Sequence, residues 1–543
     1  MSSFTKHCTI FFFTFISSFG FSQTINWDWV RSAGGVSDDV GFSITNDHNN
    51  NILIVGKIVS VANFDSLAIA SMTYNGGGFI AKYDSSGNVL WVNGISGTRT
   101  TAVQSIATDL NNNVYVCGHF TETTYVDTFS LTSNGSSDAF IGKYSANGNL
   151  LWIKSAGGID LDGAMSLICS DSLLFVAGEF KDGIYFDTTL LVSSSVGNSD
   201  IFLACLDFNG NYKWVRQAGG NGWDVSRGID IDNSSNIYLT GIFMETAYFD
   251  SLSVYSDGSG DAFLAKYDTN GNIHWVTPML GTSHTWGRSV ITCNDNIFVM
   301  GHFEGNVQFG SYNMVSQGYS DYFISKLDEY GNILWAKQIT TTLDFIDDFW
   351  NHSLESDEQG NIYITGYFMD SLVYDSFSVQ SNGSYDIFVM KIDNDGDLIW
   401  CLTAGNDHSY GDYSRSITRD NNGNLFITGR FYDTLCFGDS CVTSNGSADI
   451  FIAKISETPL NIEFVKETMQ IDIFPNPASS FLNIISDDNE IQEVEIIDNN
   501  GKCISGYKDS DMSHIDVSDL SKGMYFVRVI YRNITITRKI III

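Results

Sequence analysis

The chain has 543 residues, enough for two or three domains, with 50 Gly, only 4 Pro and 14% aromatic side chains, a balance that points to strands joined by tight turns. Its formal charge is −35. A surface that acidic repels phosphate backbones, which excludes nucleic acid as an expected partner and suits solubility outside the cell.

Residues 1–22 read as a signal peptide. Lys6 and His7 precede an apolar run from Cys8 to Phe21, too short for a membrane span, with cleavage expected near Ser22 and Gln23. No later stretch has the length and apolarity of a transmembrane segment. Eight cysteines follow, scattered and without a CxxC pair, so no zinc site is expected. Cys436 and Cys441 flank a short turn and leave two outcomes open: a hairpin disulfide in an oxidising compartment, or two buried thiols.

From residue 24 to 455 the sequence repeats. Trp recurs at 29, 91, 152, 214, 275, 335 and 400, at spacings of 62, 61, 62, 61, 60 and 65. In the second copy Trp91 lies in a strand, followed by a Gly-rich loop and an apolar strand at 103–108. The turn 109–113 leads to Val114–Phe120, and a loop of some twenty residues leads to Phe140–Tyr144. A Gly-x-Phe strand recurs as VYVCGHF, LFVAGEF, IYLTGIF, IFVMGHF, IYITGYF and LFITGRF, and a Phe-x-x-Lys strand as FIAKYD, FIGKYS, FLAKYD, FISKLD and FVMKID. Cys205 replaces one of the Lys residues. Four strands per unit, seven times over, predict an all-β fold: a seven-bladed β-propeller. The first Trp strand has no Phe-x-x-Lys strand before it, and the last Phe-x-x-Lys strand (451–455) has no Trp strand after it. Joined, the two complete one blade, so closure by the N-terminal strand is expected.

These units resemble the SBBP repeat family, in which the GN-x-x-W, NIYVTG-x-F and D-x-F-x-x-K elements occur together. That resemblance implies a seven-bladed propeller and no particular activity.

After a connector at 456–468 the composition changes. Residues 469–543 alternate short strands with Asn-Gly and Ser-Lys-Gly turns, which predicts a small immunoglobulin-like β-sandwich. Pro475-Asn476-Pro477, Gly501-Lys502 and Gly523-x-Tyr525 stand in the order found in the type A C-terminal sorting domain of the type IX secretion system, and the segment is similar to that family. The resemblance implies a partner in the type IX secretion machinery, export through the periplasm to the outer cell surface or the medium, and removal of the domain.

Motifs for chemistry are sparse. Asp84–Asn88, Asp268–Asn272 and Asp393–Asp397 look like fragments of calcium loops but lack the distal Glu, so they read as turns and no cofactor or metal is expected. His119 and His302 share the Gly-His-Phe position in different units and read as structural. The repeated Trp reads as packing between blades. No G-x-S-x-G elbow or phosphate loop is present.

The loops after the Trp strands carry aromatic and acidic residues: Trp223-Asp224, Trp286, Asp348 with Trp350, and Tyr410 with Asp412. Arg227, Arg288 and Arg415 recur at the start of the next strand. This set is the candidate ligand-binding site, for a glycan or a surface-protein ligand, on the long-loop face. The alternative for the Asp and Arg residues is pairing between blades. The chain is therefore expected to be an exported, non-enzymatic binding or adhesion module. An extracellular glycan lyase or hydrolase, or a structural surface component, is the alternative.

Overall fold

The computed structural model describes residues 23–543 apart from 257, 344–352, 460–471, 486–490, 499–501, 509–512 and 532–533. The signal peptide, Asp348, Trp350, Gly501 and most of the connector lie outside the described residues. Gln23–Thr458 form one compact unit and Pro459–Ile543 belong to another. The described residues contain strands and turns and no helix.

One repeat shows how the sequence builds a sheet. Thr101–Thr108, Val114–Phe120, Asp138–Tyr144 and Leu150–Ala156 pair antiparallel in that order. Both faces are covered, which is why Val114–Phe120 is apolar nearly throughout rather than alternating. Val114 and Val116 pack against Leu53 and Val55 of the preceding unit. Tyr115 and Cys117, on the other face, pack against Leu174 and Val176 of the following one. Each such fully buried side chain contributes about 1.5–3 kcal/mol.

The repeated Trp and Lys explain the period. The Trp91 indole N–H and the Lys82 ammonium both donate to the Ala146 carbonyl, in the turn of the next unit, at 3.2 and 3.1 Å. Trp152 and Lys143 do the same to Phe208, and Trp275 and Lys266 to Glu329. Where Cys205 replaces Lys, Trp214 still reaches Thr269. The turn glycine lies beneath the indole: a β-carbon at Gly148 would sit 2.9 Å from the Trp91 ring, and φ there is +82°. Only glycine meets both conditions without strain.

The turn aspartates serve their own backbone. Asp109 Oδ1 accepts from the N–H groups of Asn111 and Asn113 at 2.9 Å, and the same pattern holds at Asp84, Asp268 and Asp393. Lys82 also pairs with Asp47 at 2.7 Å in the interior.

The structure differs from the sequence reading in the long loop of each unit. It contains a two-stranded hairpin, such as Thr123–Val126 with Phe129–Thr132, and Thr124 and Tyr125 pair with the outer strand of the preceding unit at Gly97 and Ser96. The hairpin turn needs positive φ at its first residue, supplied by Asp127 at 53° and by Gly310 at 59° in the equivalent place. Four-residue strands with mixed polarity carry little periodic signal.

One six-stranded sheet contains both ends of the repeat region. Its order is Tyr413–Arg419, Leu425–Phe431, Asp449–Pro459, Gln23–Gly35, Val61–Phe64, Leu67–Ala70. Lys454 pairs with Asp28 at 3.3 Å and Ser456 donates to it at 2.6 Å. Trp29 reaches the Gly87 turn as the later Trp residues reach theirs. Cys436 and Cys441, opposite each other in a hairpin, are joined by a disulfide.

In the C-terminal unit a three-stranded sheet supplies Leu482, Ile484 and Ile515, and a four-stranded sheet supplies Val494, Ile496, Val527 and Val529, to one buried core. The Pro-Asn-Pro motif is stitched to the last strand. Asn476 donates to the Lys539 carbonyl and accepts from the Ile541 N–H, both at 2.9 Å. Lys502 closes its turn on Asp498, Gly523 pairs with Ile542, and the Tyr525 hydroxyl donates to the Ser521 carbonyl.

Candidate binding face

The first strand of each repeat carries the site. In six of them the pairing register slips by one residue, between Gly41 and Ser43, Val103 and Ser105, Ala164 and Ser166, Ser226 and Gly228, Gly287 and Ser289, and Ser414 and Ser416. A bulge re-aims the extra side chain. The bulged residues are Phe42, Gln104, Met165, Arg227, Arg288 and Arg415. All six line one inner cavity of about 120 Å³, to which Ser353 of the remaining repeat also contributes. Arg227, Arg288 and Arg415 are thus brought together, 6%, 1% and 1% exposed.

A larger cavity, about 470 Å³, opens beside it and shares Gln104, Met165 and Arg227. Its wall comes from loops after the Trp strands (Asp160, Leu161, Asp162 and Trp223) and from Gly-x-Phe strand ends (His119, Glu179 and Lys181).

The aromatic residues separate into two classes. Trp223 is half-buried, lines the larger cavity and donates to Glu179 Oε2 at 3.3 Å. Trp286 is 4% exposed. It meets Trp223 edge-on at 5.4 Å, stacks on His302 at 5.9 Å and carries the Arg288 guanidinium over its ring at 4.3 Å. Trp286 therefore fills the gap between adjacent sheets. Tyr410 is exposed and stands apart from this cluster, stacked between His408 and Tyr432.

Asp224 and Asp412 are buried and their carboxylates serve the loops, not the surface. Gly220 N–H and Met244 N–H donate to Asp224 at 2.7 and 3.0 Å, and Tyr432 N–H donates to Asp412 at 3.1 Å. Asp39 and Asp162 hold the equivalent places, each clamped between two backbone amides. Burial raises all four, Asp39 and Asp224 to about 7, Asp162 and Asp412 to about 8, and a second buried aspartate beside each adds to the rise.

The sequence reading missed His119 as a cavity residue. Its Nδ1 is buried without a hydrogen-bond partner. Burial, then Lys57 and Arg227, lowers it to about 4, so the ring is neutral. The signal available was register: His119 follows the glycine of its strand, as Lys57, Glu179, His302 and Arg430 do in theirs.

Comparison with known proteins agrees with this architecture. Residues 472–543 match the family model of the secretion system C-terminal sorting domain, and residues 213–241 match that of the β-propeller repeat. The chain is thus a β-propeller protein that carries a type IX sorting domain, which directs it to the cell surface or the extracellular space. An uncharacterized WD repeat-containing protein of Acanthamoeba polyphaga mimivirus is 23% identical over 567 residues, covering 83% of this chain and 40% of its own length. Regulatory protein FlaEY of Caulobacter vibrioides is 23% identical over 370 residues, covering 64% and 37%. The chain spans well under half the length of either relative. Among solved structures, a putative 6-phosphogluconolactonase of Bacteroides fragilis aligns over 72% of this chain and 96% of its own at 11% identity and a TM-score of 0.36.

Proposed function

We propose that residues 24–455 form a closed seven-bladed propeller whose last blade is completed by the N-terminal strand, and that this ring is a non-enzymatic binding or adhesion module working outside the cell. Closure is supported by the sheet that joins Asp449–Pro459 to Gln23–Gly35. The first strands link in the same cyclic sense: Leu167 N–H donates to Ser105, Leu354 N–H to Ser289, and Ile44 N–H to Ser416, from the first repeat back to the last. One inner cavity lined from all seven repeats fits such a ring.

The observation that carries the binding reading is the 470 Å³ cavity where loops of consecutive repeats meet, with Trp223 in its wall. A concave, partly apolar hollow of roughly 300–1,000 Å³ suits a small-molecule-sized group. The test is an array of glycans and surface proteins probed with the mature chain, followed by product analysis for each ligand found. Saturable binding without turnover is the expected result. Product formation would make the protein an enzyme, and Trp223→Ala should lose binding without loss of fold.

A further inference from the structure

The 470 Å³ hollow combines two chemistries in its wall. Trp223, Met165 and Leu161 supply apolar surface, and Glu179, His119 and Gln104 supply hydrogen-bonding groups. Its charges nearly cancel. Asp160 pairs with Lys181 at 3.6 Å. Asp162 accepts from the Gly158 and Lys181 N–H groups at 2.7 and 3.3 Å, and burial raises it to about 8, so it stands mostly protonated at neutral pH. His119, lowered to about 4, is neutral. One acid, Glu179, and one base, Arg227, remain in the lining. A ligand of either charge meets no excess of the opposite sign there.

Trp223 is set in advance for a flat partner. Glu179 Oε2 accepts its indole N–H at 3.3 Å, Trp286 meets it edge-on at 5.4 Å, and the ring is still only half-buried. A side chain already fixed in place loses little freedom when a ligand arrives. Glu179 is 6% exposed. A carboxylate accepts at about four positions, and the indole takes one of them. His119 adds an imidazole whose Nδ1 has no hydrogen-bond partner in the protein. A hydroxyl both donates and accepts, so a polyol suits a carboxylate, an amide and a neutral imidazole together. An ammonium only donates and a carboxylate only accepts. A sugar ring joins such hydroxyls to a C–H face that an indole can cover.

Resting on the binding-module reading above, we infer that the hollow takes one uncharged sugar ring of a glycan, its C–H face on Trp223 and its hydroxyls toward Glu179 and Gln104. The mature chain would be titrated, by tryptophan fluorescence and calorimetry, with gluco-, manno-, galacto- and xylo-oligosaccharides, a glucosamine oligosaccharide, a galacturonate oligosaccharide and a mixed-sequence peptide. At least one uncharged series should bind about tenfold tighter than either charged one and keep its affinity as salt rises, because it carries no charge to screen. Trp223→Ala should lose at least about tenfold in affinity. Glu179→Gln keeps the shape and should also lose about tenfold, as loss of a bond to a charged acceptor does. Gln104→Ala, at a half-buried position, gives a further reading should those variants fail to fold, and should weaken the same ligand several-fold. A charged oligosaccharide or the peptide as the tightest ligand would overturn the assignment and leave the binding-module reading standing. So would uncharged-sugar binding untouched by all three substitutions. Turnover of a bound uncharged oligosaccharide would support this site and overturn the non-enzymatic reading. No binding anywhere on the panel would overturn the sugar assignment, and an empty glycan and protein array besides would remove the binding-module reading too.

Discussion

Two tryptophans of the repeat region, Trp152 and Trp223, do different work, and the difference lies in what covers each ring. Trp152 sits on the Gly210 turn of the next unit, its N–H spent on the Phe208 carbonyl at 3.1 Å. Trp152→Ala should cost about 3–5 kcal/mol, as truncation of a packed Trp does. Trp223→Ala should cost far less, because one side of that ring faces a cavity. Urea denaturation of the two variants checks this, and equal losses would place Trp223 among the packing residues. The clamped aspartates set the pH response. Asp39, Asp162, Asp224 and Asp412 are raised to about 7 or 8, and Asp138, Asp386 and Asp449 to about 6, chiefly by burial, whereas an unfolded Asp ionises near 3.9. Between about pH 4 and 8 the folded chain therefore binds more protons than the unfolded one, and stability falls as pH rises through that window. His119, lowered to about 4, works the other way, losing stability as pH falls from about 6.5, but it stands alone against those seven aspartates together with Asp230, raised to about 6, and Glu355, raised to about 7. The melting temperature should be higher at pH 5 than at pH 8.5, and Asp162→Asn should flatten the slope.

At the scale of elements, what could be read from sequence depended on how much of an element's character is local. The Gly-x-Phe and Phe-x-x-Lys strands are apolar on both faces because sheets cover both, and six copies of each make the pattern plain. The hairpins within the long loops escaped, since four residues such as Thr123–Val126 alternate too briefly to stand out. The bulges escaped as well: nothing local says that Arg227 turns inward, because the slip is defined by the partner strand. The burial of Asp224 and Asp412 is illegible for the same reason, since clamping by the Met244 and Tyr432 amides is a tertiary fact. The N-terminal strand was legible from its missing partner alone. Removing residues 24–33 should strip most of Gln23–Gly35 from its sheet, expose the edge of Asp449–Pro459 and forfeit Trp29. A loss of at least about 3–5 kcal/mol and edge-driven aggregation are expected in thermal melting and light scattering. An unchanged melting temperature would mean that this strand does not close the ring.

For the whole molecule, folding and address are written in separate stretches of chain. The repeat region is a compact unit ending at Thr458, and the sorting domain draws its core from its own two sheets. In that domain Asn476 is bonded twice to the last strand, so the motif residues hold the C-terminal edge in place as well as marking the family. Truncation after Thr468 should therefore leave the propeller folded while abolishing export across the outer membrane, so that the product collects in the periplasm. Fractionation and protease shaving of intact cells would show the location, and thermal melting of the recovered product would show that the fold survives. Asn476→Ala tests the same logic inside the intact chain. It removes a donor and an acceptor from the last strand, a loss of about 1–3 kcal/mol from the sorting domain, and export should fall while the propeller's melting temperature stays put. Normal surface display of the truncated chain would separate the sorting domain from the export it is held to direct.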